Sequence, residues 1–282
     1  MKFLVLGDFH GHFPKKFVNL IRKEKVDLVV SNGDYFPFYY RKLWFKHCYH
    51  KDVELWEIIG KEKYKQLVLK DLEIGEKAIQ KLDKLNVPVI TVFGNVDYTR
   101  RNDVFDLKRK GKRYWAWDQQ DFFSKIIRKY KNIKRFDYSF FRYGDFVFIG
   151  ASGGSSPGDA KSRAFKKSKK ILDNLFRKFR KENRKGRVIF VSHNVPFNTR
   201  LDKITWKKAH KNVKGRHYGS KLIKKVIQKH QPILAIGGHI HESSGKDKIG
   251  RTIIINPGAA HEGKAEVVEM LDGRVGRIKF IK

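Results

Sequence analysis

Short apolar, β-branched runs recur along the 282 residues, and the segments between them repeat apolar positions at helical spacing. Phe3 to Leu6, Leu28 to Val30, Val87 to Phe93, Phe146 to Ile149, Val188 to Val191, Ile233 to Ile236 and Thr252 to Ile255 read as strands. Several are apolar without alternation, which predicts burial on both faces. Phe13 to Lys23 places Phe17, Val18, Leu20 and Ile21 on one helical side. Ser168 to Lys181 carries a stripe of Ile171, Leu172, Leu175 and Phe179. Lys221 to Lys229 is a third helix, with Ser220 as its N-cap and Pro232 barring continuation. Ala265 to Phe280 reads as a hairpin around Asp272-Gly273. Strands alternate with helices early and cluster towards the end, which indicates an α/β protein with a layered sheet core. Two long segments, about 35–72 and about 98–134, interrupt the rhythm.

Composition narrows this picture. Hydrophobic residues make up 40% and aromatics 13%, enough for a folded chain, and residues 1–282 are expected to form one domain. No apolar run reaches the roughly 20 residues that span a bilayer, so no membrane association is expected. The first strand starts almost at the N-terminus, which leaves no room for a signal peptide. Cys48 is the only cysteine and has no internal partner, so a reducing, cytoplasmic location is expected. Sixty-three Lys and Arg against 29 Asp and Glu give a net charge of +34. That excess admits two readings: a polyanionic partner such as RNA, DNA or a nucleotide, or a compositional bias spread along the chain.

The chemistry lies at the strand ends. Five short clusters follow probable strands: Asp8-Phe9-His10, Gly33-Asp34, Gly94-Asn95-Val96-Asp97, Ser192-His193-Asn194 and Gly238-His239-Ile240-His241. Sites in open α/β sheets form beyond the carboxyl ends of the strands, so the clusters are expected to converge. Asp8-x-His10 and His239-x-His241 each set two ligands two residues apart, a spacing that aims both to one side of an extended segment. Imidazole mixed with carboxylate and amide oxygen suits Mn, Fe, Zn or Ni better than Ca or Mg. Two such ions can clamp a phosphoryl group.

In this order the clusters resemble the motifs D-x-H, G-D, G-N-H-[DE], H and G-H-x-H of the calcineurin-like metallophosphoesterase superfamily, with one letter different. The later segments His193-Asn194-Val195-Pro196, His217-Tyr218-Gly219-Ser220, Gly238 to Glu242 and Asn256-Pro257-Gly258 are most similar to archaeal and bacterial Icc-related phosphoesterases. The resemblance spans about residues 2–271. It implies a four-layer α/β/β/α sandwich and two divalent metal ions, with Mn favoured. Asp8, His10 and His241 would hold the first ion, Asn95, His193 and His239 the second, and Asp34 would bridge them. Asp34, Asn95, Asp97 and His193 would carry catalysis, Asp97 by orienting a neighbouring ligand.

The differing letter is Val96, where the family's third motif has His. That His acts near the leaving group, and losing an acid–base group costs roughly 10²–10⁴ in rate. The loss matters least when the leaving group is good. The expected activity is therefore that of a phosphodiesterase on a nucleotide or nucleic-acid-like substrate. The alternatives are a phosphomonoesterase or protein phosphatase, a weakened enzyme, and a nucleic-acid or partner-binding module on the same fold.

The two long segments leave from motif loops and are expected over the metal face. One carries Tyr35, Phe36, Phe38, Tyr39, Tyr40, Arg41, Lys42, Trp44, Phe45, Lys46, His47 and His50. The other carries Arg100, Arg101, Lys108, Arg109, Lys110, Lys112, Arg113, Tyr114, Trp115 and Trp117. A third basic loop follows His193, with Arg200, Lys203, Trp206, Lys207, Lys208, His210, Lys211, Lys214 and Arg216. Interleaved cations and aromatics suit phosphates beside stackable bases. The competing reading is that these aromatics pack the insertions onto the body. His217 is a further candidate for the phosphate, while His12 and His261 are expected on the surface or in structural roles.

Overall fold

The computed structural model of the protein describes residues 1–49, 51–97, 115–154, 157–207, 209, 211 and 213–282. In chain order, β1 (Lys2–Leu6), α1 (Lys16–Glu24), β2 (Leu28–Ser31), α2 (Arg41–His47), α3 (Leu55–Ile59), α4 (Lys61–Asp83) and β3 (Val89–Thr91) come first. Then come α5 (Phe122–Ile127), β4 (Ile133–Arg135), β5 (Phe140–Tyr143), β6 (Phe146–Ala151), α6 (Arg163–Lys178), α7 (Arg180–Arg184) and β7 (Val188–Asn194). The chain ends with α8 (Lys221–His230), β8 (Leu234–Gly238), β9 (Gly245–Ile249), β10 (Thr252–Asn256), β11 (Ala265–Leu271) and β12 (Arg274–Ile281).

The strands form two six-stranded sheets, ordered β12-β11-β1-β2-β3-β4 and β5-β6-β7-β8-β10-β9. In the first, β1 to β4 run parallel and the C-terminal hairpin is antiparallel. In the second, β6, β7, β8 and β10 run parallel between antiparallel edges. Three apolar layers hold the stack. Phe17, Ile21, Val68, Leu72 and Ile79 pack helices on the outside of the first sheet. Phe3, Val5, Phe148 and Ile236 lie between the sheets. Leu172, Phe176, Ile223 and Ile227 pack α6 and α8 on the outside of the second. The result is the expected four-layer α/β/β/α sandwich. Central strands such as β2, buried along LVVS, are apolar on both faces because both faces are covered.

Two sequence readings need revision. Helix α6 starts five residues early, at Arg163, because the Ser162 side chain accepts from Phe165 N at 3.2 Å and caps it. It stops at Lys178, and α7 resumes after Phe179. The segment 35–72 is not a single insertion over the metal face. Its second half is the start of α4, whose Val68, Leu72, Ile79 and Leu82 belong to the outer layer of the first sheet. The second segment falls partly outside the described residues, as do His50, Arg100, Arg101, Lys108, Arg109, Lys110, Lys112, Arg113, Tyr114, Lys208 and His210. Ser220 caps α8 as read, accepting from Ile223 N.

Candidate metal centre

Parallel strands carry their ends to the same edge, and here the ends of β1, β2, β3, β7 and β8 deliver all five clusters to one place. Backbone bonds stitch the first cluster to the second: Asp8 N donates to Gly33 O at 2.9 Å and Phe9 N to Asp34 O at 2.8 Å. Gly33 permits the third cluster to close in, because a Cβ there would lie 2.3 Å from Gly94 N and its φ is +95°. Two bonds cross between the sheets: His239 N donates to Asp8 Oδ2 at 3.1 Å, and His193 Nδ1 bonds Asn32 O at 2.9 Å.

The side chains gather into two trios, Asp8 with His10 and His241, and Asp34 with His193 and His239. Within the first, His10 Nε2 and His241 Nε2 are 3.2 Å apart, and His241 Nε2 is 3.2 Å from Asp8 Oδ1. Within the second, His193 Nε2 is 3.2 Å from His239 Nδ1 and 3.5 Å from Asp34 Oδ2. Asn95 Oδ1 joins it, 2.8 Å from the same His193 nitrogen. All seven expected ligands are therefore drawn together. His239 and His241 enter different trios, as the resemblance implies, so strand alternation alone does not describe this pair. β8 has ended at Gly238, and His239 is left-handed with φ 73°, so the alternation of a strand no longer applies. Asp8 (φ 54°), His10 (φ 42°) and Asp34 (φ 57°) are also left-handed, and such strain on non-glycine residues concentrates at functional sites.

The donor chemistry fits cations. His193 Nδ1 faces a carbonyl, Asn32 O, so it carries the proton and leaves Nε2 a lone pair. That lone pair points at the Asn95 amide oxygen. His10 Nδ1 likewise faces Phe36 O at 3.3 Å, which turns its Nε2 lone pair to His241. Asp8 Oδ1 is buried with no well-aligned donor, only the His241 nitrogen beside it at 3.2 Å. Acceptors converging on acceptors are unfavourable without a positive ion between them.

Charge states differ between the trios: burial opposes a charge on His241, but the Asp8 and Asp34 carboxylates raise it above the usual imidazole value, so a proton competes there with a cation. Burial, and then His193, push His239 down to about 3, so it is a neutral imidazole. Burial works against the Asp8 carboxylate, but His241, His193 and His10 together outweigh it and hold Asp8 well below the usual range. Asp97 is the organiser behind the ligands. Its carboxylate accepts from Gly94 N (2.7 Å), Asp34 N (3.0 Å) and Tyr35 N (2.7 Å), tying the third cluster to the second. Burial and the nearby Asp34 push Asp97 up to about 7. Val96 contributes its backbone, donating to Asp34 Oδ1 at 3.0 Å.

Sequence reasoning missed His261. Its Nδ1 bonds Asp8 O at 2.8 Å, and its ring lies 5.2 Å from His10 and 5.5 Å from His241. Only its place after Asn256-Pro257-Gly258, in a loop whose Ala260 N returns to Gly7 O, signals this. It also missed the buried Asn32, whose carbonyl fixes His193. His217 is bound instead to the buried Asp202, Nδ1 to Oδ1 2.7 Å, and belongs to neither trio. His12 is exposed.

Known proteins place these features. A family model described as calcineurin-like phosphoesterase matches residues 1–243. An uncharacterized protein of Methanocaldococcus jannaschii is 29% identical over 191 residues, covering 65% of this chain and 70% of the relative. One solved structure, 18% identical, superposes with a TM-score of 0.65 over 99% of this chain and 97% of its own. A dimetal phosphatase from Danio rerio, 12% identical, gives 0.53 over 100% and 96%. At these identities the structural likenesses show a shared fold. Among the described residues, no helix is long and apolar enough to cross a membrane.

Proposed function

The chain belongs to the calcineurin-like phosphoesterase family, and from that premise we propose that it is a two-metal phosphodiesterase acting on a nucleotide or nucleic-acid-like diester. The carrying observation is the pair of trios with their imidazole lone pairs turned inward. Asp8, His10 and His241 would hold one divalent ion, His193, His239 and Asn95 the other. Asp34 would serve both, since its charge also reaches His10 and His241. Bound there, such ions supply Lewis-acid activation of water and of the phosphoryl group; manganese suits this donor set.

The chain's own groups do the positioning. Asp97 holds the Asp34 backbone by accepting from its N–H, and the Val96 N–H donates to the Asp34 carboxylate. The Asn32 and Phe36 carbonyls set the tautomers of His193 and His10. Val96 offers no proton to a leaving group, which supports a diester with an acidic leaving alcohol over an alkyl monoester.

The test is hydrolysis of bis(p-nitrophenyl) phosphate beside p-nitrophenyl phosphate by Mn²⁺-loaded protein. The diester should turn over, the monoester should lag, and both chelation and Asp34→Asn should abolish the reaction. Activity that survives chelation and Asp34→Asn contradicts the reading. A monoester preference moves it to a phosphatase.

A further inference from the structure

The chain's five tryptophans divide sharply. Trp44, Trp56, Trp115 and Trp117 are half-buried and meet other rings; Trp115 stacks on Trp117 at 5.0 Å and meets Trp56 at 5.8 Å. These fasten insertions to the body. Trp206 is 58% exposed. An indole left in water forgoes the large gain from burying its ring.

Its backbone, however, is tied to the residue that follows His241. Trp206 N and Thr205 N both donate to Glu242 Oε1, at 3.2 and 3.1 Å. Ser243 Oγ donates to Lys203 O at 3.0 Å. Glu242 directly follows the ligand His241, so the ring's anchor is one residue from the first trio. Exposed Lys203 and Lys207 flank it. Arg41 is exposed at the start of α2, over the Phe45 ring at 5.2 Å. Its charge is felt at His239.

We propose that Trp206 is a stacking platform for a nucleobase of the substrate, held beside the trios by Glu242 while the diester's phosphorus sits between them. This rests on the phosphodiesterase reading and sharpens it: the substrate is a nucleotide diester, and its base is recognised by its face. Aromatic stacking is tolerant of base identity because every base has a π-face. Little base selectivity is therefore expected, but strong dependence on having a base at all.

Binding tests this separately from turnover. Calorimetric titration of metal-free protein with thymidine 5′-monophosphate and with 2-deoxyribose 5-phosphate should show a preference of roughly tenfold for the base-bearing ligand. Trp206→Ala should collapse that preference to near one, and Trp206→Phe should keep most of it. With Mn²⁺ bound, the kcat/KM ratio of thymidine 5′-p-nitrophenyl phosphate over methyl p-nitrophenyl phosphate should fall in the same order, mainly through KM. Equal binding of the two ligands by the unmodified protein, or an unchanged preference in Trp206→Ala, overturns the proposal. Hydrolysis of both esters without preference removes the platform and leaves the phosphodiesterase. Base-dependent binding lost in Trp206→Ala, without hydrolysis of either ester, supports the platform and removes the phosphodiesterase.

Discussion

The two trios use similar donors in different surroundings. Around His193 the second is the more deeply set: the imidazole is 0% exposed and Asp34 2% exposed, Asn32 holds the ring, and only His239 is half-buried. The first opens outward, with the His241 side chain 28% exposed and His261 packed against it. Each trio draws on both sheets, so each ion would also tie the sandwich together. The difference teaches that His193 and Asp34 belong to the buried core, whereas His241 reaches solvent. His193 cannot be lost without leaving Asn32 O unpaired and a void, whereas the partly exposed His241 can.

Ligand deletions sharpen that contrast most. His193→Ala should lose the second ion and essentially all turnover, and added imidazole should not restore it. His241→Ala should lower activity by at least about 100-fold, beyond the 10–100-fold typical of an outer-shell partner, and added imidazole should recover part of it. Metal content by mass spectrometry, measured with the rates, checks both. Equal rescue of the two variants would break the distinction.

A smaller effect tests whether the layer beneath the trios stands apart from them. Glu266 on β11 alternates with Ala265 and Val267 and so faces the inter-sheet layer beside Val5, fully buried, with both carboxylate oxygens lacking a donor. Burial raises its pKa well above 4.5. The folded state therefore keeps a proton that the unfolded chain releases above that pH. This contribution to stability is complete below pH 4.5 and is lost as pH rises towards the folded pKa. Glu266→Gln lacks that loss. Its Tm relative to the parent should thus rise between pH 4 and pH 8, with metal content unchanged. A change in metal content would join this layer to the trios.

Much of this was legible in the sequence, for identifiable reasons. Asp, His and Asn directly after apolar β-branched runs, with glycines beside them, mark a ligand cluster, because polar groups at buried strand ends need a partner there. The buried central strands announced themselves by lacking alternation. Helix α4 did not, although Val68, Leu72, Gly75, Ile79 and Leu82 share one face. Lysines dominate its other faces, and Gly75 sits mid-helix because a Cβ there would lie 2.1 Å from the Phe36 ring. Strand β4 is three residues of an edge, IKR, too short and too polar to stand out. The split of His239 from His241 was implied by the resemblance, but its physical cause, a left-handed residue after β8, was not. The contrast between Trp206 and the other tryptophans depends on tertiary packing, which composition does not carry.

The central claim is that two ions occupy two separate trios. Its most direct measurement is the metal content of the protein after loading with Mn²⁺ and removal of free ion, by inductively coupled plasma mass spectrometry. The account predicts two ions per chain in the parent and one in His241→Ala, the inner ion remaining. A parent that retains none, or a His241→Ala variant that still retains two, would contradict it.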